Sequence, residues 1–278
     1  VLFLGTEHAV FISMNSGNDW VEFNSNLPTT LYDDMVIHPR EKDLVLGTHG
    51  RSFWVLDDTA PLAEWSESSD SPVHIYSIRP TTLFHYWKDT SYRGQEEWTG
   101  PNPDYGAIIS FIVNSNESQA VIEIKRRNKT IRTYQLSVSP GVINRFVWDL
   151  KHPPPPFIEN NKETPGLIKP NKSELLPIPP HSLDPQGPHV SPGVYTVTVS
   201  VGNKSHSQTV RLNGDPKLNL RTGDYRQREI FLLELHDLHK QAFTLNEKLK
   251  DMVKQSSERM EADDKKLIAI KGQQKKVN

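Results

Sequence analysis

Leu2-Phe3-Leu4-Gly5-Thr6 returns later in the chain as Leu44-Val45-Leu46-Gly47-Thr48, and Phe11 returns as Phe53, both at an offset of 42 residues. Apolar residues alternating at period 2 predict half-buried strands, and their return every ~40–45 residues is the signature of stacked propeller blades. One four-stranded blade cannot bury both of its faces, so blades stack around a ring. Two partial units do not close a ring. The remaining blades are therefore expected upstream of Val1 or from another source. The chain enters directly into a strand-like run without an initiating Met and reads as a fragment.

The first unit carries a second pattern, Ser13-Met14-Asn15-Ser16-Gly17-Asn18-Asp19-Trp20. This is the Asp-box spacing Ser-x-Asp-x-Gly-x-x-Trp with Asn15 in the Asp position. In such a hairpin turn a short Asx side chain bonds nearby amides and Gly17 supplies a positive φ. Trp20 is expected to pack into the blade. The reading of Ser13, Asn15, Gly17 and Trp20 is structural, without direct chemistry.

Three further stretches complete the picture: residues 34–40 (Asp-Met-Val-Ile-His-Pro-Arg), residues 43–52 (Asp-Leu-Val-Leu-Gly-Thr-His-Gly-Arg-Ser) and Trp54-Val55-Leu56-Asp57-Asp58. With the Asp box they make residues 1 to about 58 resemble the closing part of a BNR/Asp-box, sortilin-like propeller, a family often labelled glycosyl hydrolase-like. The resemblance implies a propeller end over residues 1–60, and many such proteins resemble glycosidases in fold without a demonstrated reaction.

Residues 61–106 read as a connector. A Ser/Asp-rich loop spans residues 66–71, and short apolar runs at 73–76 and 83–87 are placed against the propeller. Its aromatics Trp87, Tyr92, Trp98 and Tyr105 are candidates for stacking on a glycan or peptide, or for sealing the joint to the next domain. From residue 107 to 214 strands alternate with turns every ~8–12 residues, the pattern of a β-sandwich. The segments Gly141-Val142-Ile143-Asn144-Arg145-Phe146-Val147-Trp148-Asp149-Leu150 and Ser191-Pro192-Gly193-Val194-Tyr195-Thr196-Val197 resemble the Ig-like domain that follows such propellers. An insertion at residues 153–192, with four consecutive prolines at 153–156, favours extended polyproline II or disorder and reads as a spacer or surface-hugging loop.

Residues 215–278 change class to a helical tail. Phe231, Leu235, Leu238, Ala242, Leu245, Leu249 and Met252 alternate spacings of four and three, which places them on one helical seam. Asp224 is a candidate N-cap with Gln227 at capping-box distance. The seam predicts an apolar partner, whether another protein or the sandwich, because an isolated helix is marginal in water. Leu267, Ile268 and Ile270 suggest a short second helix after an early end or fraying of the first.

Composition removes whole classes of chemistry. There is no Cys, so disulfides, thiolate catalysis, Cys-ligated zinc and iron–sulfur clusters are excluded. With 32 basic and 34 acidic residues, no basic excess points to nucleic acid, and no apolar run is long enough to span a membrane. Glycoside hydrolysis needs two carboxylates about 5–10 Å apart across a cleft. The adjacent pairs Asp33-Asp34 and Asp57-Asp58 point to opposite faces of a strand and read as turn and strand-end carboxylates. Arg40 and Arg51 alone make no sialidase-type cluster. His38 and His49 read as turn or packing residues, and His236 and His239 as helix-surface histidines. No cofactor or metal is expected. The sequons at Asn116, Asn128, Asn171 and Asn203 would be glycan acceptors in a eukaryotic secretory protein; in a Cys-free chain of bacterial type they read as turn asparagines tolerating the left-handed conformation.

The expectation is a mainly β chain: an incomplete propeller end, an Ig-like β-sandwich and a C-terminal α-helical tail. The expected function is non-catalytic binding or scaffolding within an exported protein of the periplasm or cell surface, partnered by a protein or by upstream blades. The alternative is the C-terminal part of a glycoside hydrolase-like enzyme whose active site lies upstream.

Overall fold

The structure is a computed structural model describing residues 1–23, 26–68, 71–85, 104–156 and 186–277. The chain is mainly β, with several sheets and one long C-terminal helix. Its first 60 residues form two three-stranded antiparallel sheets. One contains β1 (Leu2–Gly5), β2 (Val10–Ser13) and β3 (Val21–Glu22) in that order. The other contains β4 (Tyr32–Ile37), β5 (Leu44–Thr48) and β6 (Phe53–Leu56). The register Met35↔Leu46↔Trp54 and Ile37↔Leu44↔Leu56 gathers the larger side chains on one face. There Leu44 and Leu46 join Val10 and Tyr32 in a core flanked by Phe3, Met35, Trp54 and Leu56, so the two sheets share one apolar interior.

The same alternation leaves the opposite faces bare. Val36, Val45 and Val55 are cross-strand neighbours, and Val36, Val55 and Phe53 are exposed, Phe53 to 74%. Leu2 and Leu4 are exposed on the first sheet.

After α1 (Ala60–Ala63) and a 3₁₀ turn at Trp65–Ser68, a larger core begins. It is enclosed by strands β7 (Val73–Ile75), β8 (Thr81–Leu83), β9 (Ala107–Val113), β10 (Gln119–Arg126), β11 (Lys129–Ser137), β12 (Ile143–Trp148), β13 (Gly193–Val201) and β14 (Lys204–Gly214). They form a three-stranded sheet, β12-β9-β7, and a five-stranded sheet, β11-β10-β13-β14-β8. Ile109 and Phe111 of the first sheet meet Ile122, Ile124, Tyr195, Val197 and Val210 of the second in a single cluster. Each such burial contributes ~1.5–3 kcal/mol. Trp148 and Tyr195 touch edge-to-face at 5.2 Å; Tyr195 Oη donates to the Ser191 carbonyl at 2.7 Å and Trp148 Nε1 to the Lys151 carbonyl at 3.4 Å, so neither polar tip is stranded in the core.

Three expectations require correction. The apolar run beginning at Val73 does not lie on the N-terminal sheets: β7 pairs with β9, and β8 pairs in parallel with β14. The turn asparagines do not take the left-handed conformation; Arg127 (φ +55) and Gly202 (φ +56) occupy it, one position before Asn128 and Asn203. Asn116 also keeps a negative φ, and Asn171 lies outside the described residues.

The third correction concerns the tail. A single helix, α2 (Thr222–Val277), runs through the expected break without a second helix. No proline interrupts residues 217–278, and side chains such as Lys250–Glu247 and Lys266–Asp263 pair at i,i+3 along the exposed surface. Residues 1–152 and 189–226 belong to one compact unit, and α2 from Gln227 onward belongs to a second.

Candidate functional site

The Asp-box turn is built from bonds that span at most four residues. Asn15 Oδ1 accepts the Asp19 N–H at 2.9 Å, Ser13 Oγ accepts the Gly17 N–H at 2.8 Å, and Asn15 Nδ2 donates to Asp19 Oδ2 at 2.7 Å. Gly17 takes φ +94, which an L side chain rarely adopts. Ser13 is fully buried, whereas Trp20 is 40% exposed. It lies beside Gly17 on the side of Leu2, and that sheet face is bare in this chain. The side-chain bonds of Ser13 and Asn15 close on the turn itself.

The paired carboxylates are likewise engaged locally. Asp34 Oδ1 accepts the Met35 N–H at 2.8 Å, and Asp33 stands 3.7 Å from His49 Nδ1. Asp58 sits at φ +63 and accepts the Ala60 N–H at 3.1 Å. Burial pushes its pKa above the ordinary 3.8, against the pull of the Ala60 amide and of Arg79 and Arg145. Asp57 lies 3.7 Å from Arg145. Each of the four carboxylates is thus engaged by a neighbouring amide, imidazole or guanidinium.

Arg79 is the residue that sequence reading missed. Its Nη1 donates to Asp43 Oδ1 at 2.8 Å and to the Glu41 carbonyl at 3.1 Å, with Glu41 Oε2 3.7 Å away. Asp43 Oδ1 also accepts the Asp58 N–H at 2.9 Å. One guanidinium thereby ties the β4–β6 sheet to the segment entering β8. The partners are 36 and 38 residues apart, so no local spacing signals them.

Beside this clamp lies a cleft of about 830 Å³ lined by Arg40, Glu41, Thr82, Phe84, Tyr105 and Asn213, among others. Tyr105 Oη donates to the Phe84 carbonyl at 3.4 Å, and its ring packs on the larger core and meets His189 edge-on. Of the four aromatic candidates this is the one whose surroundings are visible. Trp87, Tyr92 and Trp98 lie outside the described residues. Next in sequence to the lining residue Pro216, Asp215 accepts the His85 and Lys217 N–H groups at 2.8 and 2.9 Å. Those amides hold its carboxyl below the usual carboxylate range.

The helical seam is the most extended candidate. Phe231, Leu235, Leu238, Leu245, Leu249 and Met252 are each between 54% and 65% exposed, and Ala242 between them is exposed too. Asp224 is not the N-cap expected from the sequence: α2 already starts at Thr222, and from the first turn Asp224 Oδ2 reaches back to accept the Arg221 N–H at 2.7 Å. His236 is largely covered, unlike His239, so the two do not share an accessible helix surface. Among the described residues no cluster of three metal-ligating side chains occurs. No described helix is long and apolar enough to cross a membrane.

Comparison with family models, curated proteins and solved structures found no match to this chain.

Proposed function

We propose that this chain is a non-catalytic binding or scaffolding segment of an exported, sortilin-like propeller protein, acting within a larger assembly. The observation that carries this reading is the α2 seam, six large apolar side chains more than half exposed along one helix. A soluble surface rarely presents so long an apolar stripe unless a partner covers it. The bare faces of the first two sheets support the propeller part of the reading. A sheet that is apolar on both faces needs a neighbour on each, and here one neighbour is supplied by its twin. The two-sheet core after residue 72 is the Ig-like domain of that architecture. Carboxylates bound to their own turns and to arginines favour binding over hydrolysis.

The test is a pull-down with the tagged chain beside Leu238→Glu/Leu245→Glu, with bound proteins read by mass spectrometry. A stoichiometric partner lost in the double variant supports docking through the seam. A partner retained by both forms moves the binding surface elsewhere, and none with either form overturns the reading.

A further inference from the structure

The flanks of the seam distinguish among its occupants. Written as a heptad, Leu235, Ala242 and Leu249 fall at a, and Phe231, Leu238, Leu245 and Met252 at d. The g positions are then Glu234, Gln241 and Lys248, and the e positions Leu232, His239, Asn246 and Val253. Glu234 and Lys248 are both exposed, and Gln241 lies midway between them.

Resting on the docking reading above, we infer that the partner is a second copy of this chain, its α2 running antiparallel to the first about residue 240. In that arrangement a layers meet d layers. Phe231 meets the second copy's Leu249, Leu235 meets its Leu245, and Leu238 meets its Ala242, each contact repeated by the two-fold axis. The smallest seam residue thus receives a large one, as interdigitated packing requires. The same register sets g against g, so Glu234 faces Lys248 of the other copy twice over and the two Gln241 side chains meet on the axis. Every charged g residue gains an opposite partner. A parallel pair sets g against e instead, placing Lys248 beside Val253 and leaving its charge without a counterpart. Charge complementarity therefore selects both the occupant and its direction. The overlap from residue 228 to residue 252 spans about 37 Å of helix.

The absence of Cys allows single nitroxide labels without background labelling. Light scattering on the full chain is expected to give twice the 31.7 kDa chain mass at tens of micromolar. Pulsed dipolar spectroscopy on Lys240→Cys is expected to give about 20 Å, and on Lys254→Cys about 45 Å, because labels far from the axis separate by twice their axial offset. Glu234→Lys is expected to weaken the dimer about tenfold, and Glu234→Lys/Lys248→Glu to return it to within about threefold of wild type. Restoration by the swap is a result that damage to the helix does not produce. Circular dichroism of each variant reports that the helix is intact.

A monomer at every concentration overturns the inference, as do equal distances at the two labels or a failure of the swap to restore. A monomeric chain that still captures a different protein, lost in Leu238→Glu/Leu245→Glu, overturns the second copy while leaving the docking reading in place. Loss of both removes both.

Discussion

His206 on β14 accepts the Ile75 N–H of β7 through Nδ1 at 2.8 Å, so one imidazole joins the five-stranded sheet to the three-stranded sheet. Its ring stacks on His74 at 5.0 Å. Burial, and then the charge His74 would carry, lower its pKa from 6.5. As pH falls below 6.5 the unfolded chain takes up this proton before the folded one. Stability present above 6.5 is therefore lost as pH falls through the lowered folded value. The urea midpoint is expected to drop between pH 7 and pH 5, and His206→Gln, which keeps an acceptor, to flatten that drop. An unchanged slope in the variant refutes the assignment. Nothing in the sequence marks this residue, since its partner is 131 positions away. Asn15 and Gly17 are legible because everything they bond lies within four residues. The environment of Trp20 is not, because it depends on what stands against the outer sheet face.

At the scale of elements, the entry into β9 is the tightest junction. Gly106 takes φ +148, and a Cβ there would lie 2.2 Å from the Trp148 carbonyl oxygen at the end of β12. Gly106→Ala is expected to cost about 3 kcal/mol through combined strain and overpacking, measured by urea denaturation with helix content unchanged. A loss below about 1 kcal/mol would mean that β9 and β12 separate there at little cost. The long strands of the larger core, β9 to β14, were readable, since six to eleven residues of alternation or of unbroken apolar sequence leave little ambiguity. The three-residue strands β7 and β8 were not: so short a run carries no period, and pairing by distant partners makes them strands. The seam announced α2, but its length did not follow. Beyond Met252 the apolar period fades, and helix formers and charge pairs continue the helix without it.

For the whole molecule, a mainly β chain with a helical end was legible from periodicity, whereas the cleft and the Arg79 clamp were not. Their residues come from four separate regions of sequence that only the folded sheets bring together. The bare face of β4–β6 gives a prediction at this scale. Phe53→Ser/Val55→Thr is expected to reduce binding of an apolar dye by roughly half while leaving the urea midpoint within about 0.5 kcal/mol, because these side chains are exposed. A large loss of stability would show that this face is not free.

The parallel pairing of β8 with β14 also sets a timetable. Thr81 pairs with Leu212, and the His85 amide waits for Asp215, 130 residues later. At about 5–20 residues per second, a ribosome needs roughly 7–26 s to deliver the second partner after the first. During that interval β7 and β8 have neither His206 nor β14 to hold them, and the apolar strand β9 has one face uncovered. The larger core therefore closes late in synthesis, and protection of the nascent chain matters most while residues 107–200 are emerging.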